Sequence, residues 1–168
     1  MTKNIFLGLL VSLIFLGCSS KSDELTNVES KLVIGKSLGQ LTLNDQFEKS
    51  HTLSNDTTTV IFAFSKDGAH VCNDFFVTQT PTYLADNNTA FIADVSAAPG
   101  LIRSMFILPG LKDFKHTVLL LDDEAAAAPF RKDMKIEEIV IITLNAGNIT
   151  KIETITTEKE LQTTIEKK

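Results

Sequence analysis

Four short apolar runs punctuate this chain: Val60–Phe64, Ala90–Val95, Val118–Leu121 and Ile139–Leu144. Each is continuous rather than alternating, the pattern of a strand buried on both faces, and Val60–Phe64 is expected near the sheet centre. Between the runs the spacing turns helical. Cys72, Phe75, Phe76 and Gln79 repeat on one helical face, which Pro81 ends or kinks. Ser96 is placed to cap a helix starting near Pro99, whose Leu101, Ile102, Met105 and Phe106 share a face before Pro109-Gly110 breaks it. Met105, Phe106 and Ile107 are expected to pack into the core. Asp122, Asp123 and Glu124 supply acidic groups at the start of a short helix over Ala125–Ala128.

The flanking segments complete the pattern. Gln40–Leu43 and His51–Leu53 enclose a polar turn and read as a hairpin. Asn145-Ala146-Gly147-Asn148 turns the last apolar run into Ile149–Ile155, and Thr157 with Glu160 has capping-box spacing ahead of Leu161 and Ile165. Strands alternating with helices, then a hairpin and a closing helix, predict an α/β domain with a mixed sheet covered on both faces. Right-handed crossovers make the first connections parallel, and the turn makes the last pair antiparallel.

The first twenty residues follow a different rule. Lys3 precedes an apolar stretch from Ile5 to Leu16, and Gly17 stands just before Cys18. About a dozen apolar residues are too few to span a bilayer, which takes roughly 20. The stretch resembles a bacterial lipoprotein signal peptide, with Phe15 where such signals usually carry Leu. The resemblance implies that residues 1–17 are removed and that Cys18 begins the mature chain carrying acyl groups. The protein is then lipid-anchored at the cell membrane or outer membrane, facing the periplasm or cell exterior; Ser19 favours the outer membrane. Residues 18–32 read as the lipidated N-terminus and a flexible tether reaching on the order of 20 Å, and residues 33–168 as one domain.

Charge and cysteine content narrow the functional classes. The formal net charge is −5, and loss of Lys3 with the signal makes it −6. With no Lys/Arg cluster, this excludes nucleic acid as a partner and electrostatic adhesion to anionic lipid, so the acyl chains would hold the protein at the membrane. The chain has two cysteines. Lipidation of Cys18 leaves Cys72 without an internal partner, as a thiol that is reactive, intermolecular or buried.

The segments Gly35–Phe47, His51–Ser54 and Val60–Ser65, followed by Phe91–Ser96, Thr117–Asp122 and Ile139–Ile149, resemble in order the peroxiredoxin and periplasmic thiol-oxidoreductase families of the thioredoxin-like superfamily. The resemblance covers residues 33–168 and implies a thioredoxin-like fold. In these families the chemistry rests on a short loop after the central strand, here Ser65–Cys72. A dithiol exchanger needs Cys-x-x-Cys so that a second thiol resolves the mixed disulfide; the first position here is Ala69 and only Cys72 matches the second. A peroxiredoxin needs Pro and Thr ahead of its cysteine, where this chain has Ser65 and Ala69, and an arginine that only Arg103 or Arg131 could supply. The cis-proline before the penultimate strand is also missing, whether that segment is Lys135–Ile139 or the one ending at Thr117.

These departures imply an accessory binding module that has lost its redox chemistry, with an envelope protein as the expected partner. The alternative is a single-cysteine thiol peroxidase or oxidoreductase. There Cys72 would be the nucleophile at a helix start, activated by the helix dipole and His70, and an external thiol would resolve its sulfenic acid. A third reading is a structural lipoprotein with no specific ligand. His70, Cys72 and Asp74 do not make a metal site, because positions i and i+2 on a helix do not face each other and no second His/Cys pair completes the set. No cofactor is implied. Asp122–Glu124 is explained by helix capping rather than acid–base chemistry.

Overall fold

The computed structural model describes residues 28–166, so the signal peptide, Cys18 and most of the tether lie outside the described residues. Strands β1 (Thr42–Asn44) and β2 (Ser50–Thr52) pair antiparallel as the expected hairpin. Strands β3 (Thr59–Ala63), β4 (Thr89–Asp94), β5 (Leu119–Leu121), β6 (Ile139–Asn145) and β7 (Asn148–Ile155) form a five-stranded sheet in the order β5-β4-β3-β6-β7. Parallel pairing joins β3, β4 and β5, while β6 runs antiparallel to both β3 and β7. The central strand is the Val60 run, and Val60, Ile61 and Phe62 are fully buried there. Continuous apolar sequence and burial on both sides thus have one cause: helices cover both faces of the sheet.

One face is covered by α1 (Lys66–Val77), α2 (Tyr83–Asp86), the helical segment after β4, and α6 (Glu158–Glu166). Cys72, Phe75, Phe76, Leu84, Leu111, Leu161 and Ile165 pack there on Ile61, Phe91 and Ile141. The opposite face is covered by α5 (Glu124–Arg131) together with Leu32, Leu38 and Leu53. Its centre is a ring stack in which Phe62 lies 5.4 Å from Phe64 and 5.6 Å from Phe130. Residues entering the domain are clamped to that side: Lys31 N–H donates to the Pro129 carbonyl at 2.9 Å, and Leu32 is buried.

Local chemistry explains the turns and caps. Ala146 (φ 48°) and Gly147 (φ 78°) form the tight turn between β6 and β7 with both central residues left-handed, the hairpin geometry that matches strand twist. A Cβ on Gly147 would stand 2.9 Å from the Gly39 Cα, so the position also needs the absence of a side chain. At α6 the expected capping box is present: Glu160 Oε2 accepts from the Thr156 and Thr157 N–H groups, and Thr157 Oγ1 accepts from Glu160 N–H. Helix α5 is longer than predicted. Asp123 caps it by accepting from Ala126 N–H, and it continues through Pro129 to Arg131.

The segment after β4 departs most from expectation. It comprises α3 (Gly100–Ile102), a π-helical turn (Arg103–Ile107) and α4 (Leu108–Leu111), so the helix runs through Pro109-Gly110 rather than breaking there. The Leu108 N–H donates to the Arg103 carbonyl, the wider spacing of a π-turn. Ser96 does not cap it; its hydroxyl donates to the Asp94 carboxylate instead. Met105 and Phe106, expected in the core, are 58% and 65% exposed, and Ile107 is half-buried. Ile107, Leu108 and Leu111 meet the core instead, and the Arg103 guanidinium in the same segment donates to the Val95 and Ser96 carbonyls at 3.3 Å.

Candidate functional site

Strands β3 and β4 run in the same direction, so they deliver their C-terminal ends to one edge of the domain. Only Phe64 and Ser65 separate β3 from α1. Ser65 is extended, and its hydroxyl accepts from the Gly68 N–H at 3.1 Å, satisfying one of the free donors at the helix start. Gly68 is buried under this turn, and a Cβ there would crowd the capping Ser65 hydroxyl at 3.3 Å while making only ordinary contact with Ile139.

A cleft of about 590 Å³ opens at this edge, between α1 and the 100–111 helical segment. It exists because Ala69, Ala93, Ala97, Ala98 and Gly110 line it with side chains too small to fill the gap. Phe64, Ile107, Leu111 and Phe114 supply apolar walls. Four polar residues enter from α1 and its approach: Ser65, Lys66, His70 and Asn73. Lys66 and His70 are exposed, whereas Asn73 is 6% exposed.

Asn73 is held by His116. The His116 ring packs against Phe76, Phe91 and Phe114, and burial lowers its pKa to about 4. The neutral ring donates from Nε2 to Asn73 Oδ1 at 2.9 Å, which leaves its Nδ1 without a hydrogen-bond partner among the described residues. The His116 backbone is fixed in turn: Gln46 Nε2 donates to its carbonyl at 2.8 Å, and Gln46 Oε1 accepts from Val118 N–H at 2.9 Å. A buried glutamine thus joins the hairpin loop to the start of β5.

Asp94 also borders the cleft, but strand alternation turns its carboxylate toward α5. Its Oδ1 accepts from Ser96 N–H and Oγ–H, and Oδ2 faces the Arg131 guanidinium at 3.4 Å. Arg131 also pairs with Glu124, and Ser96 Oγ lies 3.2 Å from Glu124 Oε2. Asp123 therefore serves the cap and Glu124 this ion-pair network.

The thiol lies elsewhere. Cys72, expected at a helix start, is the seventh residue of α1 and is fully buried among Phe75, Phe76 and Ile141. Burial pushes its pKa strongly upward, opposite to the shift an activated thiol needs. Nor does α1 bring His70 and Cys72 together: His70 faces the cleft and Cys72 the core. Arg103 and Arg131, the two guanidinium candidates, are engaged with carbonyls and carboxylates. The segment before β6, the strand antiparallel to the centre, is Lys135–Glu138, so the expected proline position falls there and not at Thr117. Among the described residues no group of three or more His, Cys, Asp and Glu is placed to hold a metal.

Sequence reasoning missed the cleft and the Asn73–His116 pair. The cleft is built from small residues on non-adjacent segments, which leave no local pattern. His116 gave one usable signal, a polar residue flanked by Phe114 and Val118 just ahead of an apolar strand.

No protein-family model matches the chain, and no curated relative matches it. Solved structures do. A protein from Neisseria meningitidis assigned as a thioredoxin superimposes with a TM-score of 0.51 at 17% identity, over 82% of this chain and 89% of that one. One from Bacteroides thetaiotaomicron assigned as a protein disulfide isomerase gives 0.50 at 18% identity, over 83% of this chain and 89% of that one. The fold is thioredoxin-like, as the order of segments implied.

Proposed function

We propose that this protein is a membrane-anchored cell-envelope lipoprotein whose thioredoxin-like domain works as a redox-inactive accessory binding module, with the cleft beside α1 as its binding face. One observation carries the reading: the helix start holds the Ser65 hydroxyl as a cap and opens on an apolar cleft, while Cys72 is sealed in the core. Thiol chemistry requires a thiolate within reach of its partner, and dithiol exchange requires a second thiol. Cys72 has neither accessibility nor a depressed pKa. Anchoring through acyl groups on Cys18 is supported by the Lys3–Cys18 pattern, and the acidic charge keeps nucleic acid out of the list of partners.

Alkylation and peroxide assays on the full chain in isolated membranes, and lipid labelling in growing cells, test this. Cys72 should resist alkylation for hours in the native protein and label on unfolding, with no peroxide consumed. Native-state labelling accompanied by peroxide-dependent sulfenic acid would instead establish the single-cysteine peroxidase. Metabolic labelling with palmitate should mark the wild type and not Cys18→Ser.

A further inference from the structure

We infer that the cleft binds an amphipathic carboxylate, a molecule with a fatty-acyl-like apolar body and one anionic head. The inference rests on the cleft being the binding face proposed above and names the class of ligand it takes. Size and lining come first. A volume of about 590 Å³ with walls from Phe64, Ile107, Leu111 and Phe114 suits a small organic ligand, since such sites typically span roughly 300–1,000 Å³ and are mostly apolar with a few polar groups that fix orientation.

The polar groups select the head. Lys66 brings three N–H donors and a positive charge, His70 brings at least one ring N–H, and Ser65 brings a hydroxyl. Deeper in, the Asn73 carbonyl oxygen is already taken by His116, so the group that Asn73 has available for the cleft is its NH₂. The carboxylate bordering the site, on Asp94, is engaged with Ser96 and faces Arg131 toward α5. The α1 side therefore offers donors and a cation. A cationic ligand would be repelled by Lys66, whereas a carboxylate accepts hydrogen bonds from these donors and pairs with the ammonium.

Equilibrium dialysis of labelled octanoate against the full chain in phosphatidylcholine nanodiscs, with empty nanodiscs as the blank, tests the inference. Saturable binding at one site per chain is expected, with octanol at least tenfold weaker, because a charge-assisted hydrogen bond is worth that much or more. Lys66→Ala should weaken octanoate about tenfold. Ala98→Leu should abolish binding, because Ala98 lines the cleft with a methyl and a larger side chain there takes up the ligand's space. Ala69→Leu blocks the opposite wall and serves as the second variant. Uptake no greater than the blank, equal affinity for octanol, or full binding by both blocked variants would overturn the ligand class. Failure to bind octanoate while Cys72 stays unreactive removes this inference alone, and a reactive Cys72 removes the reading it rests on.

Discussion

The two faces of the sheet are built from the same strands yet end differently. On the α5 side, Phe62, Phe64 and Phe130 stack, and Leu32 and Leu38 fill the space around them. On the α1 side, aromatic packing is equally dense near α2, but toward the C-terminal ends of the strands it gives way to alanines, a glycine and a cleft. The filled side carries large side chains up to the strand ends, whereas the open side gives up packing there and leaves the cleft. Both faces carry a buried core, and the α1 side alone also carries the cleft.

The largest effect should come from the filled face. Phe62→Ala removes a fully buried ring at the centre of the stack and should cost about 3–5 kcal/mol in urea unfolding. A loss below about 1 kcal/mol would erase the contrast between the faces.

The open face should dominate the response to acid. His116 is neutral when folded, with a pKa of about 4 against about 6.5 unfolded, so below 6.5 the unfolded chain binds the proton first. Stability should then fall from about pH 6.5 to 4 by up to about 1.4 kcal/mol per pH unit and level off beneath. Asp45 acts in a lower window. Burial works to raise its pKa, but hydrogen bonds from His51, Lys49 and Phe47 outweigh that and hold it below the ordinary value, so its contribution is lost only as pH falls through that depressed value. Urea midpoints across this range should lose the 6.5-to-4 slope in His116→Phe and keep it in Phe62→Leu.

The smallest effect should be at the outer surface of the 100–111 segment. Phe106→Ser should change stability by no more than about 0.5 kcal/mol, because the ring is largely exposed. A core-sized loss on thermal melting would restore the packing its sequence pattern suggested.

Strand positions were legible because a fully covered strand writes its burial as an unbroken apolar run, and Val60–Phe64 did so at the centre. The α6 cap was legible because Thr157 and Glu160 act within one turn. The start of α1 was not: its first turn is Lys66-Asp67-Gly68, which shows no apolar spacing, and its signal is a single capping serine. The 100–111 face was misassigned because side-chain spacing there follows an ordinary helix, whereas the backbone takes a π-turn and Arg103 anchors the inner side. At the candidate site, the sequence pattern puts His70 in a loop leading to a helix start at Cys72, whereas α1 already begins at Lys66 and carries His70 in its second turn. The burial of Cys72 depended on which face of α1 meets the sheet, set by its packing on Ile61 and Ile141 across space rather than by neighbours in sequence.

The clamp at the entry to the domain has a directional consequence. Lys31 and Leu32 fasten the chain to the α5 side, where the Lys31 ammonium also sits 4.7 Å from the centre of the Phe130 ring. The chain therefore enters the domain on the α5 side, away from the α1 side that bears the cleft.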